Sequence, residues 1–411
     1  MNILILHRIP YHKIDYQRGI DHSVHHVVYL GTQEALKTIL DDLPCVKIAR
    51  LGKNSVYFEA QQCLAPLALS FDRIISLSEY ELLDAARLRQ LFNVPGPSVD
   101  AVLKVRDKLL MKECVGNAGL HVPRNCSLEK LLNGNAKFDD AKLVLKPIDG
   151  ASSENVCIFD STKELLHCIN TNSSSIALLN AGGYKGFEVE EFISGEILHF
   201  DGLVESGKVK VLVASQYIGT CLAYAQGKPL GSFQIDITPE SKQWVLDVLR
   251  ATDLTNGSFH LEAIVNNGSL VFLEVANRVG GADVVNVVEL ATGVHLPSAE
   301  LKIYLSESPL LKVVYSPSKF GWFVFPGHHL KSEYCHVEFS ERFKHAPQVV
   351  RWNELKENIP VPRNITYQAH EVPLAGLVQS QNSEALQAFI QNIFERVEVK
   401  GCDLNTCTNN A

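Results

Sequence analysis

The chain opens on a short apolar run, Asn2–His7 (NILILH), followed by a long polar stretch over residues 8–26. Further apolar runs at 27–30, 46–49 and Arg73–Ser76 read as strands. Between them, residues 33–40, 58–68 and 79–91 carry apolar side chains at helical spacing. Strands alternating with helices predict a small parallel α/β domain over residues 1–98, ending at the Pro/Gly-rich NVPGPS of 93–98. No GxGxxG follows the first strand, which disfavours a dinucleotide fold.

Beyond that boundary, residues 99–119 read as one helix closed by Gly119. A strand at 142–147, a polar loop at 149–155 (DGASSEN), a strand at 156–159 and a helix at 162–169 follow. A polar stretch at 170–175 and a glycine-rich one at 181–186 (AGGYKG) complete a unit spanning 99–186. Strands at 187–193, 197–204 and 208–215, and helices at 242–252 and 283–292, belong to a third unit, 187–319. From Phe320 on, short β-type runs alternate with prolines, predicting a small mixed domain over 320–411 with a disordered tail from Asp403. The expected fold class is therefore a multidomain mixture of α/β and α+β, without internal repeats.

One hairpin stands out. Residues 259–265 (FHLEAIV) and the run that opens VFLEVANRVGG (271–281) are joined by Asn266-Asn267-Gly268. Each run carries one glutamate, Glu262 or Glu274, among apolar neighbours, where an ionised carboxylate is costly unless paired or metal-bound. A two-residue turn at Asn267-Gly268 alone would set Leu261 opposite Glu274 and send the two carboxylates to opposite faces. Shared metal binding therefore predicts an odd-length loop or a β-bulge. Arg278, Gly280 and Gly281 follow, and two hard carboxylates with an arginine and open backbone suit a Mg²⁺-bridged polyphosphate.

Composition narrows the partners. At 411 residues, about two to four domains are expected. A net charge of −8, with no basic block interleaved with aromatics, argues against nucleic acid. No apolar run reaches the ~20 residues of a membrane span. The first strand begins at once, leaving no room for a signal peptide, so a cytoplasmic location is expected. The ten cysteines fall singly, with no CxxC pair, so reduced thiols rather than a zinc cluster or disulfide framework are expected. The histidines near the start lack companions at ligand spacing and read as solvated.

Other candidates carry both a chemical and an ordinary reading. Lys108, in VRDKLLMK, taken alone reads as a surface lysine on a helix. Lys146 ends an apolar strand before Pro147 and a Gly/Ser loop, where a cation and free N–H groups can hold nucleotide phosphates; an ordinary strand-end lysine fits as well. Ser152 and Ser153 either close over phosphate or cap a turn. VEEFISGE (189–196) offers backbone for an adenine edge at Glu190, Glu191, Phe192 and Ile193, and a carboxylate, Glu196, for ribose hydroxyls; acidic strand pairs are more often solvated. His199 and Asp201 alternate on the next strand and face the same side, lining a substrate pocket or a wet sheet face. Arg278 stabilises phosphoryl charge, or forms a salt bridge to Glu262 or Glu274.

The order RDKLLMK, LVLKPIDGASSENV, VEEFISGE, HLEAIV, FLEVANRVGG resembles the ATP-grasp superfamily of carboxylate–amine and carboxylate–thiol ligases, over residues 104–293. The resemblance implies an ATP-grasp fold with an N-terminal α/β domain, a mobile lid around 142–179 and a C-terminal mixed domain. It makes Lys108 and Lys146 phosphate ligands, Glu190, Glu191 and Ile193 the adenine hinge and Glu196 the ribose ligand. Glu262 and Glu274 become the magnesium carboxylates, and Arg278 serves an acyl phosphate. Many members read E-x-N-x-R; here that position is Ala276, with Asn277 shifted by one, pointing to a two-glutamate metal shell. The E-x-A-x-R-x-G-G form is similar to L-amino-acid ligases. The resemblance thus implies ATP and Mg²⁺, with Mn²⁺ as a substitute, small carboxylate and amine substrates, and a homodimer. Alternative readings are a thiol or carrier-protein acceptor, a carboxylase-like enzyme, or a non-catalytic nucleotide-binding regulator.

Overall fold

The computed structural model describes residues 1–67, 69–138, 141–151, 153–307 and 311–403. Ser152 and the tail from residue 404 lie outside the described residues. Strands β1 (Asn2–His7), β2 (His26–Thr32), β3 (Val46–Arg50) and β4 (Arg73–Ser76) form a parallel sheet in the order β3-β2-β1-β4. Both of its faces are covered, as an all-parallel sheet requires. Ile3, Ile5 and Tyr29 pack on one side with Leu301 and Leu305 of helix Leu296–Tyr304. Leu4, Leu6 and Val28 pack on the other under helices Val56–Leu64 and Leu82–Phe92.

The stretch 99–119 is not one helix. It forms Val99–Leu103 and Lys108–Asn117, interrupted where the Asp107 carboxylate accepts from the N–H groups of Leu109 and Leu110 at 2.9 and 3.0 Å. Side-chain capping outcompetes helix continuation here, as it does wherever Asp finds two free donors. The break places Lys108 at the start of the second helix.

Strands β5 (Asn125–Ser127), β6 (Leu143–Pro147), β7 (Cys157–Phe159) and β8 (Phe187–Glu191) form a small sheet, β5-β8-β6-β7, over its own core. Phe192 and Ile193, expected within the last strand, lie just beyond it. The central sheet is antiparallel and contains β9 (Glu196–Glu205), β10 (Lys208–Ile218), β11 (Leu230–Ile235), β12 (Gly257–Asn266) and β13 (Ser269–Ala276). Helices Lys108–Asn117 and Pro239–Ala251 cover one face through Met111, Val115, Val245 and Val248. Helix Val284–Thr292 covers the other through Val284, Val287 and Val288. Gly257, at φ +102°, leads into β12; a Cβ there would sit 2.5 Å from the Tyr304 hydroxyl and 2.8 Å from Glu300 Oε1. Only glycine fits.

The segment from Phe320 does not build its main sheet separately. β14 (Lys319–Phe325) pairs with β11, and β16 (Val349–Glu354) and β17 (Leu374–Ser380) follow it, giving β13-β12-β9-β10-β11-β14-β17-β16. β15 (Tyr334–Glu338) and β18 (Glu398–Cys402) form a separate pair. Cys402 is disulfide-bonded, correcting the expectation of uniformly reduced thiols; the other described cysteines are free. No described helix is long and apolar enough to cross a membrane.

Candidate active site

The hairpin turn has two residues, with Asn267 and Gly268 both at positive φ (49° and 77°) as a type I′ turn requires. Regular pairing runs from Asn266↔Ser269 to Ala263↔Phe272 and then shifts. Leu273 is the extra residue, and Glu262 stands opposite Glu274. The bulge therefore turns both carboxylates to one face despite the even-length turn. Both line a cleft of about 500 Å³, a volume suited to a small-molecule site, together with Lys108, Lys146, Ser153 and Ile193.

Lys108 and Lys112 of the helix converge with Lys146, Glu188 and Glu190 of the small sheet. Lys108 Nζ lies 3.1 Å from Glu274 and donates to the Gly150 carbonyl at 2.7 Å. Lys146 Nζ is 2.6 Å from Glu190. Burial opposes its charge, but Glu190, Glu188 and Glu274 outweigh that and raise its pKa. Lys112, one turn on from Lys108, is fully buried between Glu188 (2.6 Å) and Glu190 (2.9 Å). Burial likewise opposes ionisation of Glu274, yet Lys108 and Lys146 hold its pKa below the ordinary glutamate value.

Behind Glu262 runs a buried hydrogen-bonded chain. Its Oε1 accepts from the Tyr217 hydroxyl at 2.9 Å and lies 3.3 Å from His260 Nε2. His260 Nδ1 is 2.7 Å from Asp201 Oδ1; Asp201 Oδ2 is 2.6 Å from His199 Nδ1, and His199 Nε2 is 2.6 Å from Ser232 Oγ. Burial disfavours a charged His260, but Asp201 and then Glu262 reverse this and raise its pKa to about 10. His199 and Asp201 thus share a face, as their alternation predicts, but sit in a dry network rather than lining the cleft. Gly280 packs against this network: a Cβ there would meet Asp201 Oδ1 at 2.8 Å and His260 Nδ1 at 2.9 Å. Gly281 has open space.

The remaining candidates fall differently. Arg278 pairs with neither hairpin glutamate; its Nε donates to Glu79 of the N-terminal domain at 2.7 Å, and Glu79 also receives Arg106 at 2.5 Å. Glu191 accepts from Arg124 at 2.7 Å, while Phe192 stacks under Lys142. Glu196 is exposed at the start of β9, outside the cleft lining formed by its neighbours Gly195 and Ile197. Asn277 donates to the Ser258 and Asn256 carbonyls at 2.8 and 3.2 Å, tying strands together. Sequence reading passed over Lys112, Tyr217, Cys221, His260, Glu79 and Arg106. Spacing could have flagged Lys112, four residues after Lys108, and His260, two before Glu262 on the same strand face. Nothing local marks Glu79.

The donor set suits a hard divalent cation. Among the described residues, Glu262 Oε2 and Glu274 Oε1 make no hydrogen bond, and both side chains line the cleft. Oxygen donors beside two ammonium groups fit Mg²⁺ carried with polyphosphate.

The small four-stranded sheet, the antiparallel central sheet and the cleft between them match the ATP-grasp fold. The chain carries an ATP-grasp domain: residues 105–282 match the model of that family. Over 266 residues it is 26% identical to the L-arginine-specific L-amino acid ligase of Bacillus subtilis, a match taking in 62% of this chain and 63% of that one. The crystal structure of an L-amino acid ligase from Bacillus licheniformis superposes with a TM-score of 0.71 at 17% identity, covering 98% of both chains. A carboxyaminoimidazole ribonucleotide synthase from Aspergillus clavatus, complexed with ATP, gives 0.68 at 12% identity, covering 96% of this chain and 97% of its own. At these identities the structural likeness concerns the fold.

Proposed function

We propose that the protein is an ATP-dependent ligase that activates a carboxylate, an amino acid, as an acyl phosphate and joins it to an amine. The observation that carries this reading is the opposed pair Glu262 and Glu274, each with a free oxygen, in a cleft shared with Lys108 and Lys146. Glu262 and Glu274 would hold Mg²⁺, and Mn²⁺ would satisfy the same oxygen donors. When bound, the ion neutralises phosphate charge and polarises the γ-phosphoryl group. Lys108 and Lys146 contact phosphates, with Ser153 beside them in the cleft lining. Glu190, Glu191, Phe192 and Ile193 border the adenine end, and Glu196 reaches the ribose if the lid sheet closes.

A substrate carboxylate oxygen attacks the γ-phosphorus and ADP departs. Arg278, held by Glu79, faces the charge of the acyl phosphate. The amine then attacks the acyl carbon, loses a proton and expels phosphate, which keeps the carboxylate oxygen. The lid sheet over the cleft excludes water, which would hydrolyse the intermediate. The relative named as an L-arginine-specific L-amino acid ligase supports amino acids as the substrate class.

The test is phosphate release from MgATP across amino acids, with mass spectrometry of products and with amines, thiols and bicarbonate as separate acceptor arms. Amino-acid-dependent release with a mass of the condensed product supports the reading. ATP binding without carboxylate-dependent turnover points instead to a regulator.

A further inference from the structure

The buried polar chain behind Glu262 has no part in the chemistry described so far. His199 and Asp201 of β9, Tyr217 of β10, Ser232 of β11 and His260 of β12 come from four neighbouring strands. The ladders set His260 opposite Asp201, Glu262 opposite His199 and Tyr217 opposite Ser232, so all of them share one face of the sheet. Tyr217 lines the cleft beside Glu262, and the other four are buried. Replacing such a buried group of acids and imidazoles by packed apolar side chains is often neutral or stabilising. Stability alone therefore gives no reason for it.

Orientation does. Ser232 Oγ holds His199 Nε2, His199 Nδ1 holds one oxygen of Asp201, and the other Asp201 oxygen holds His260 Nδ1. An imidazole can turn about its bond to Cβ unless a partner at one nitrogen sets the ring plane. With Nδ1 on Asp201, the His260 Nε2 faces Glu262 Oε1 at 3.3 Å, where the Tyr217 hydroxyl also donates at 2.9 Å. The His199 ring packs on the Tyr217 ring with centroids 4.5 Å apart and restrains the phenol as well. Both contacts fall on the same carboxylate oxygen. Two partners on Oε1 stop the group from turning about its terminal bond, so Oε2 has one position rather than an arc. Glu274 is held differently, by the Lys108 ammonium at the end of a long flexible stem. Glu262 is the rigid half of the pair.

We propose that His260, oriented by Asp201, is a positioning residue for Glu262: together with the Tyr217 hydroxyl it fixes Oε1 and so presents Oε2 to the divalent cation. The inference rests on the metal role given to Glu262 under the proposed function. Asp201 acts through His260, and His199 and Ser232 act through Asp201. The sheet thus supplies a preset carboxylate that the cation does not have to order on binding.

The experiment measures Mn²⁺ binding to the whole protein in the presence of ADP, by electron paramagnetic resonance of the free ion. It uses wild type, Tyr217→Phe, His260→Leu, His260→Gln, Asp201→Asn and the double variant Asp201→Asn/His260→Leu, with urea unfolding to confirm that each is folded. Tyr217→Phe and His260→Leu should each weaken Mn²⁺ binding by about tenfold to a hundredfold, the range found for partners that orient a metal ligand. ADP affinity without metal should stay at the wild-type value. His260→Gln, whose amide nitrogen reaches the place of Nε2, should regain part of the loss. Adding Asp201→Asn to His260→Leu should cost no further Mn²⁺ affinity, because its effect passes through the missing ring. If His260→Leu does not fold, Tyr217→Phe and Asp201→Asn carry the test. Wild-type Mn²⁺ affinity in the folded variants overturns the proposal, as does an equal loss of metal-free ADP binding, the mark of a merely structural role. A wild type that binds no Mn²⁺ with ADP overturns the metal assignment and this role with it. Mn²⁺ losses as expected, in a protein that releases no phosphate with any carboxylate, keep the positioning role and overturn the ligase reading.

Discussion

Glu262 lies directly across from Glu274 because Leu273 bulges out of the β12–β13 ladder. In the proposed function each carboxylate is the other's partner in metal binding. Glu262→Gln and Glu274→Gln should therefore each remove several kcal/mol of phosphoryl-charge stabilisation. That corresponds to a fall in kcat/KM of about a hundredfold or more and a raised Mg²⁺ requirement. Magnesium titration of the steady-state rate checks both; wild-type Mg²⁺ dependence in either variant would contradict the assignment.

Lys112, itself at zero side-chain exposure, holds Glu188 and Glu190. Removing one member of such a group strands buried charge, so Lys112→Met should destabilise by about 3–5 kcal/mol. Urea unfolding reads this. Adding Glu188→Gln to the same variant should recover part of the loss.

Glu79 joins Arg278 to Arg106 and so connects the N-terminal domain to the hairpin's end. Glu79→Gln keeps the shape but weakens a charge-assisted bond worth about 1.5–3 kcal/mol. It should lower kcat by about tenfold while KM for ATP changes little. Arg278→Lys should fail to substitute, since the ammonium lacks the planar fork.

Glu300 supplies the pH dependence. Burial dominates, with Ser258 and Tyr304 bonds opposing, and its pKa is raised to about 7 from the ordinary 4.5. In the folded state the proton is bound more tightly than in the unfolded chain. Its favourable contribution is thus complete below pH 4.5 and lost as pH rises to 7, by about 3 kcal/mol. Glu300→Gln should flatten stability across that window and exceed wild type at pH 8, as measured by urea unfolding at a series of pH values.

Much of this architecture was legible because it rests on local pattern. Strand–helix alternation announced the parallel N-terminal sheet, and apolar runs interrupted by single glutamates announced the hairpin. The requirement that two carboxylates share a face demanded either an odd loop or a bulge, and the structure uses the bulge. What stayed hidden depends on distant partners. The Asp107 cap that splits 99–119 looks like any helix-interior acid. Lys112 reads as a surface lysine until Glu188 and Glu190 are placed against it. Glu79 lies 199 residues from Arg278. β14 joins β11 rather than founding a new sheet, and no periodicity distinguishes these outcomes.

Acyl-phosphate ligation requires that a carboxylate oxygen pass to phosphate during turnover. Amino acids labelled with oxygen-18 in the carboxylate, supplied with MgATP and an acceptor amine, test it directly. One labelled oxygen is expected in each released phosphate, matched by its loss from the amide product. Phosphate free of the label, alongside product formation, would contradict acyl-phosphate ligation in this cleft.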